Sequence, residues 1–291
     1  MFRNCLKAAL ALAMSAVLVV PTAQAQETLR LGVGLFQPDK EKNDATYKPL
    51  ADYISAKLKR PVQLRTVDTW EGLAKSLASN ETDLALMGPW GYVLANHEAG
   101  AQAISTILYE GKPEYFAIMV THPKSGINSI DDLKGKSFAF GDKGSTSGYL
   151  IPFHEFQKRG INVDTHFSKV LYTKHQAIET QVARGELDAG ADYNRNRDAM
   201  IDDGLIKASE SKIIWTSAPL PNDAFAVSAT LAKDAALVAQ LRAALEGIGA
   251  ELKTNPALLP KRYTGFVTKD NSYYAPIRDA GLATGKLVPK R

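Results

Sequence analysis

Apolar residues recur along the chain with two different spacings. In TLRLGVGL, Thr28 to Leu35, they fall at every second place (Leu29, Leu31, Val33, Leu35), which puts them on one face of a strand. In YKPLADYISAKLKR the spacing widens to four, with Leu50, Ile54 and Leu58 in register and Tyr53 beside them, and this predicts a helix. PVQLRTV reads as the next strand. Asp68 and Glu71 then give a capping-box-like start to a helix carrying Leu73 and Leu77. TDLALMGPW is a short buried-strand candidate that runs into a Gly-Pro turn. This order of strands and helices predicts a parallel sheet covered by helices.

AISTILYE and EYFAIMVTH continue as strands, and after a loop at 123–126 the rhythm restarts. SIDDLKG is a short acidic turn of helix, Ser137 to Phe140 a strand, and GDKGSTSGYL a glycine-rich loop that enters another helix. FSKVLYT is a strand, KHQAIETQVARGE a helix with Ala177, Ile178, Gln181 and Val182 on one side, and LDAGAD a strand. KIIWTSAPLPNDAFAVSATL holds two more strand candidates around Pro219 and Pro221. AALVAQLRAALEGIGAEL is the strongest amphipathic segment. Two copies of one rhythm, with extended segments near 114–122 and 223–230, predict two α/β lobes joined by two strand-like crossings. The expected division is 26–119 with 224–291 in one lobe and 120–223 in the other. A ligand cleft is expected between them, at strand C-termini and helix N-termini.

The first residues stand apart from this pattern. Arg3 and Lys7 precede the apolar run AALALAMSAVLVV, and Ala23-Gln24-Ala25 has the small-x-small form of a secretory cleavage site, so residues 1–25 read as a signal peptide. The run is short for a bilayer span of ~20 residues, and a soluble, exported mature protein is expected. The single cysteine, Cys5, lies inside the signal, which leaves no disulfide and no catalytic thiol after processing. The signal holds two of the 35 basic residues and none of the 31 acidic ones, so the mature balance is 33 against 31, or +2. Without a basic cluster interleaved with aromatics, nucleic acid is not an expected partner. No cofactor or metal is expected either.

The chemistry concentrates in GDKGSTSGYL, residues 141 to 150. A strand precedes it and a helix from Ser147 or Gly148 is expected to follow, so unpaired backbone N–H groups and the hydroxyls of Ser145, Thr146 and Ser147 gather at one helix start. Such a start holds a tetrahedral oxyanion without a formal cation. The same residues equally serve as a plain helix cap. A hydrolase nucleophile turn needs Gly-x-Ser-x-Gly, whereas Gly144-x-Thr146-x-Gly148 centres on threonine. The loop also lacks the lysine of a nucleotide-phosphate loop. An exported serine hydrolase assembled from Ser147, His175 and Asp223 stays open as the alternative.

DDLKGKSFAFGDKGSTSGYLIP, KHQAIETQVARGELDAGAD and IIWTSAPLPNDAFAV resemble, in that order, the periplasmic phosphonate-binding proteins of ABC importers and their phosphite- and hypophosphite-binding relatives. The resemblance runs through nearly all of the mature chain. It implies a two-lobed type II periplasmic binding protein, each lobe a mixed β-sheet flanked by helices. It implies a monomeric, non-enzymatic receptor working with a membrane permease, or else one that feeds a sensor. Ser145, Thr146 and Ser147 match the family's anion loop. His175 matches a histidine that donates to the same anion, and Tyr115 a tyrosine on the crossing segment. Without the resemblance, His175 is a helix-end histidine and Tyr115 an ordinary strand aromatic. Trp70 stands where relatives carry tyrosine and offers only an indole N–H. Trp90, in GPWGYV, is a further wall candidate.

Asp223 is the unusual member of this set. A carboxylate beside an anion repels it unless the ligand supplies a proton or an amine, and in aminoalkylphosphonate binders this place serves such a donor together with a second carboxylate. Here that second place falls near Arg195, in Asp192-Tyr193-Asn194-Arg195, with Asp192 the alternative carboxylate from a different position. The expected ligand is therefore a small reduced phosphorus oxyanion, phosphite or hypophosphite, with methylphosphonate-like species next.

Overall fold

A computed structural model describes residues 27–37 and 39–290. The expected signal segment, Met1–Ala25, lies outside the described residues. The alternation after Thr28 becomes β1 (Leu29–Gly34), with Leu31 and Val33 fully buried. α1 (Lys40–Leu58) turns Tyr47, Leu50, Ile54 and Leu58 inward, and β2 (Val62–Val67) returns parallel to β1. α2 (Trp70–Ala78) is capped by Thr69, whose Oγ1 accepts from the Gly72 amide at 3.0 Å, and not by Asp68 as the sequence suggests. β3 (Leu84–Met87) lies on the other side of β1.

The Gly-Pro turn expected after β3 is the start of a helix, α3 (Pro89–Ala99). Proline suits its first position because no intrahelical acceptor awaits that amide. β4 (Gln102–Tyr109) leads to the first crossing. The apolar run at 114–122 is broken at Phe116, whose amide is taken by Asn194 Oδ1 at 3.0 Å, into β5 (Glu114–Tyr115) and β6 (Ala117–Thr121).

The second rhythm builds β7 (Ser137–Phe140), α4 (Ile151–Lys158), α5 (Val163–His166), β8 (Lys169–Tyr172), α6 (His175–Ala183), β9 (Ala189–Tyr193), α7 (Asn194–Asp202) and β10 (Lys212–Thr216). Its sheet has the order β10-β6-β9-β7-β8. β11 (Leu220–Pro221) then pairs antiparallel with β5, so the two crossings run side by side. β12 (Ala224–Val227), α8 (Ala235–Glu251), β13 (Tyr263–Val267) and α9 (Ala275–Ala283) complete the first sheet, ordered β13-β4-β12-β3-β1-β2.

Both sheets follow one plan. Three parallel strands, β2-β1-β3 in one and β8-β7-β9 in the other, are joined by an antiparallel strand that has just crossed from the opposite half, β12 and β6 respectively. The lobe division expected at 119/120 falls inside β6, all of which pairs in the second sheet, while 223/224 falls at the start of β12. Helices cover both faces of each sheet. Leu31, Leu50, Ile54 and Ile248 pack on one side of the first, and Leu73, Leu77, Met87 and Tyr274 on the other. Phe138, Phe140 and Phe156 fill one side of the second, and Ile178 and Val182 the other. Burial on both faces explains why LALM, SFAF and AFAV read as continuous apolar runs rather than as alternation.

Candidate functional site

The parallel strands of the two sheets end toward one another, and the helices that follow them begin there. Phe36 follows β1, Trp70 is the first residue of α2, and Gly88 is the N-cap of α3. From the other half, Ser145 to Ser147 follow β7, His175 is the first residue of α6, and Tyr193 is the N-cap of α7. These residues, with Tyr115, Arg195 and Asp223, line one small cavity. About 20 Å³ of it is open to the centre of a water-sized sphere. That is little more than the ~10–15 Å³ needed by a single water.

The glycine-rich loop builds the donor side. Ser145 caps a wide, π-type turn, Thr146–Leu150, that leads into α4, and its Oγ accepts from the Gly148 amide at 3.0 Å. The amides of Thr146 and Ser147, first in that turn, have no intrahelical acceptor. Thr146 Oγ1 accepts from the Trp90 amide at 2.7 Å, which ties the second half to the first. The Tyr115 hydroxyl lies beside those of Thr146 and Ser147; burial raises its pKa, and it remains a protonated donor. Gly148 is required by close approach: a Cβ there would lie 2.6 Å from His175 Cε1.

His175 Nε2 lies 3.1 Å from Ser145 Oγ. On the far side of the ring, Asp192 Oδ1 is 2.8 Å from Nδ1 but off the axis along which a ring N–H donates. Asp192 is fully buried, receives Asn196 Nδ2 at 2.9 Å, and neighbours the equally buried Glu179. Burial pushes the His175 imidazolium down to about 4 and the Asp192 carboxyl up to about 7, and it raises Glu179 as well. The histidine at the cavity is thus neutral at pH 7.

Charge enters from the opposite side. Arg195 Nη2 donates to Asp223 Oδ2 at 3.0 Å and Nη1 to the Tyr263 hydroxyl at 3.0 Å. Its guanidinium carbon lies 4.5 Å from the Tyr115 ring centroid, 5.2 Å from that of Tyr193 and 5.6 Å from that of Tyr263. Both ends of the ion pair are buried, Arg195 to 3% and Asp223 to 5% side-chain exposure. Burial works against the guanidinium, but Asp223 and the phenols outweigh it and its pKa is raised. Asp223 is therefore not a free carboxylate waiting for a ligand proton; it already has a cation.

Of the residues expected at the site, Trp70, Tyr115, Ser145, Thr146, Ser147, His175 and Asp223 line this cavity, and Trp90 does not. The Trp90 indole N–H donates to the Lys143 carbonyl at 3.2 Å, and its ring packs so closely on Gly281 that a Cβ there would lie 2.5 Å from it. Trp70 packs edge-on against Phe36 at 4.8 Å and forms an apolar wall. The hydrolase arrangement is not assembled. His175 Nε2 faces Ser145 instead of Ser147, and Asp223 faces Arg195 instead of the histidine. Residue-level reading missed Phe36, Gly88 and the pairing of Arg195. Their common signal is position, just beyond the C-terminal end of a parallel strand.

The chain is similar to known proteins. The chain is 25% identical over 213 residues to the phosphonates-binding periplasmic protein of Escherichia coli (strain K12), a match that covers 71% of this chain and 63% of the relative. It is 26% identical over 199 residues to the phosphate-import protein PhnD of Mycolicibacterium smegmatis, covering 64% and 62%. The matches thus span less than two thirds of either relative's length. The structure of PhnD1 from Prochlorococcus marinus in complex with methylphosphonate superposes with a TM-score of 0.79 at 19% identity, over 89% of this chain and 99% of that one. This chain has the two-lobed fold of periplasmic binding proteins. The family described as "ABC transporter, phosphonate, periplasmic substrate-binding protein" matches residues 35–274, most of the chain, and the protein belongs to that family.

Proposed function

We propose that the protein is the periplasmic receptor of an ABC importer for a small phosphorus oxyanion, with phosphite or hypophosphite preferred and methylphosphonate next. The observation that carries this reading is the convergence of the Ser145, Thr146 and Ser147 hydroxyls with several helix starts on a cavity of about 20 Å³. Aligned helix starts and neutral hydroxyls favour an anion over a cation, and the small volume favours a compact one. Beside the donors, the rings of Phe36 and Trp70 add apolar surface to the lining. A P–H or P–CH₃ group suits that wall, whereas the extra oxygen of phosphate is left there without a partner, at a cost of ~1–3 kcal/mol.

In this reading the protein is an exported, non-enzymatic monomer that needs no cofactor and presents its closed lobes to a membrane permease. Isothermal titration calorimetry with phosphite, hypophosphite, methylphosphonate, 2-aminoethylphosphonate and phosphate tests it. The first three should bind, with phosphate weaker by about tenfold or more. Phosphate binding as tightly as phosphite sinks the ligand assignment, and no heat or thermal shift with any of the five sinks the class.

A further inference from the structure

The Arg195–Asp223 pair raises a question that an anion cradle alone does not answer. A receptor for a compact anion has a buried carboxylate in its wall and an equally buried guanidinium bonded to it. Among the described residues that line the cavity Arg195 is the one fixed cation and Asp223 the one carboxylate, and His175 is neutral. The lining therefore carries no net charge, and its only acid is already paired. The guanidinium is also held in place on several sides. Tyr263 takes one N–H, Tyr115 and Tyr193 flank the plane, and Nε is buried without a partner. Arg195, Tyr193 and Phe36 form the wall shared with a larger adjoining cavity of about 250 Å³, so Arg195 stands where a ligand arm leaving the cradle would pass.

We infer that Arg195 is the specificity-determining residue of this cavity: its guanidinium occupies, against Asp223, the place of a cationic ligand arm, so the site takes phosphorus oxyanions whose other substituents carry no ammonium group. The inference rests on the functional reading above. A ligand that brought an ammonium would find the one carboxylate in the lining already neutralised by Arg195 through Oδ2, and a buried cation without a counter-ion of its own is strongly disfavoured. A ligand that brings none leaves the internal ion pair intact. Removing the guanidinium reverses both statements, because Asp223 then repels a bare anion and welcomes an ammonium.

The test compares two ligands of the same size, ethylphosphonate and aminomethylphosphonate, with methylphosphonate as the smaller reference, by calorimetry on wild-type protein and on Arg195→Gln. Wild-type protein should bind aminomethylphosphonate at least about tenfold more weakly than ethylphosphonate. In Arg195→Gln aminomethylphosphonate should become the tightest of the three. If the wild-type cavity proves too small for either isostere, Arg195→Gln should still gain the ammonium ligand, and no gain overturns the inference. If Arg195→Gln does not fold, the doubly substituted Arg195→Gln, Asp223→Asn protein, which leaves no buried charge, should bind methylphosphonate and show no preference between the isosteres. Wild-type protein that takes both isosteres equally overturns the role of Arg195, as does a folded Arg195→Gln in which aminomethylphosphonate stays weakest. Wild-type protein that binds no phosphorus anion at all overturns the functional reading, and this inference with it.

Discussion

The two sides of the cavity hold their polar groups by opposite means. On the Ser145–Ser147 side every group is neutral: hydroxyls, amides at a helix start, and a histidine that burial keeps uncharged. On the other side two full charges are buried against each other inside a ring of tyrosines. The neutral side can change partners when a ligand arrives, because hydroxyls rotate at little cost. The charged side cannot, because separating a buried pair strands an ion. The first side is therefore suited to receive a ligand and the second to define what the ligand must lack.

The largest effect should come from breaking the charged side. Asp223→Ala leaves Arg195 buried without a counter-ion, which costs ~3–5 kcal/mol of ligand-free stability. Added methylphosphonate should recover more stability in this variant than in wild-type protein, because the ligand then takes the place of the missing carboxylate. Chemical unfolding with and without ligand measures both quantities. A loss below ~1 kcal/mol would mean that the pair is not held as tightly as its burial indicates.

The neutral side is broken by pH rather than by truncation. The folded value of His175, about 4, lies below its ordinary 6.5, so between those pH values the unfolded chain binds the extra proton and stability falls as the pH falls. Asp192 is the reverse. Its folded value of about 7 lies above 3.8, so the folded chain holds the extra proton and stability falls as the pH rises through that window; the raised Glu179 acts in the same direction. Relative to wild type, His175→Gln should therefore gain stability on going from pH 7 to pH 4, and Asp192→Asn on going from pH 4 to pH 7. Each change should be on the order of 3 kcal/mol. Unfolding titrations across that range read the two slopes, and parallel curves for both variants would contradict the burial argument.

The same division explains what was legible in the sequence. The neutral side is local: GDKGSTSGYL carries its own turn and helix start directly after β7, while β1, α1 and α6 announce themselves by apolar spacing and β7 by a short apolar run. α7 is hidden because NRNRDAMID turns Arg195 and Asn196 inward beside Met200, so a buried polar face replaces the apolar stripe that marks a helix. α3 is hidden because Gly-Pro reads as a turn, although proline fits equally at a first helical position. The pairing of Arg195 with Asp223 joins residues 28 apart in the chain, and its bond to Tyr263 spans 68. No local pattern encodes either. Trp90 shows the opposite error, a large aromatic near a turn that packs into the core.

The smallest effect separates the cap from the proposed cradle on the neutral side, where Ser145 Oγ is assigned to both. Ser145 Oγ accepts from the Gly148 amide and also meets His175, whereas Ser147 has no part in the cap. Ser145→Ala should cost ~1 kcal/mol of ligand-free stability, as lost caps do, and Ser147→Ala less. Both should weaken anion binding, because a hydrogen bond to a charged group contributes ~1.5–3 kcal/mol, or about tenfold or more in affinity. Thermal unfolding and calorimetry on the two variants separate these contributions. Equal stabilities would remove Ser145 from the cap, and unchanged affinities would remove both serines from the cradle. An ester-hydrolysing activity that disappears with Ser147→Ala would instead revive the catalytic alternative. The geometry argues against that outcome, because the serine that meets the histidine is the one whose oxygen is already held by a backbone amide.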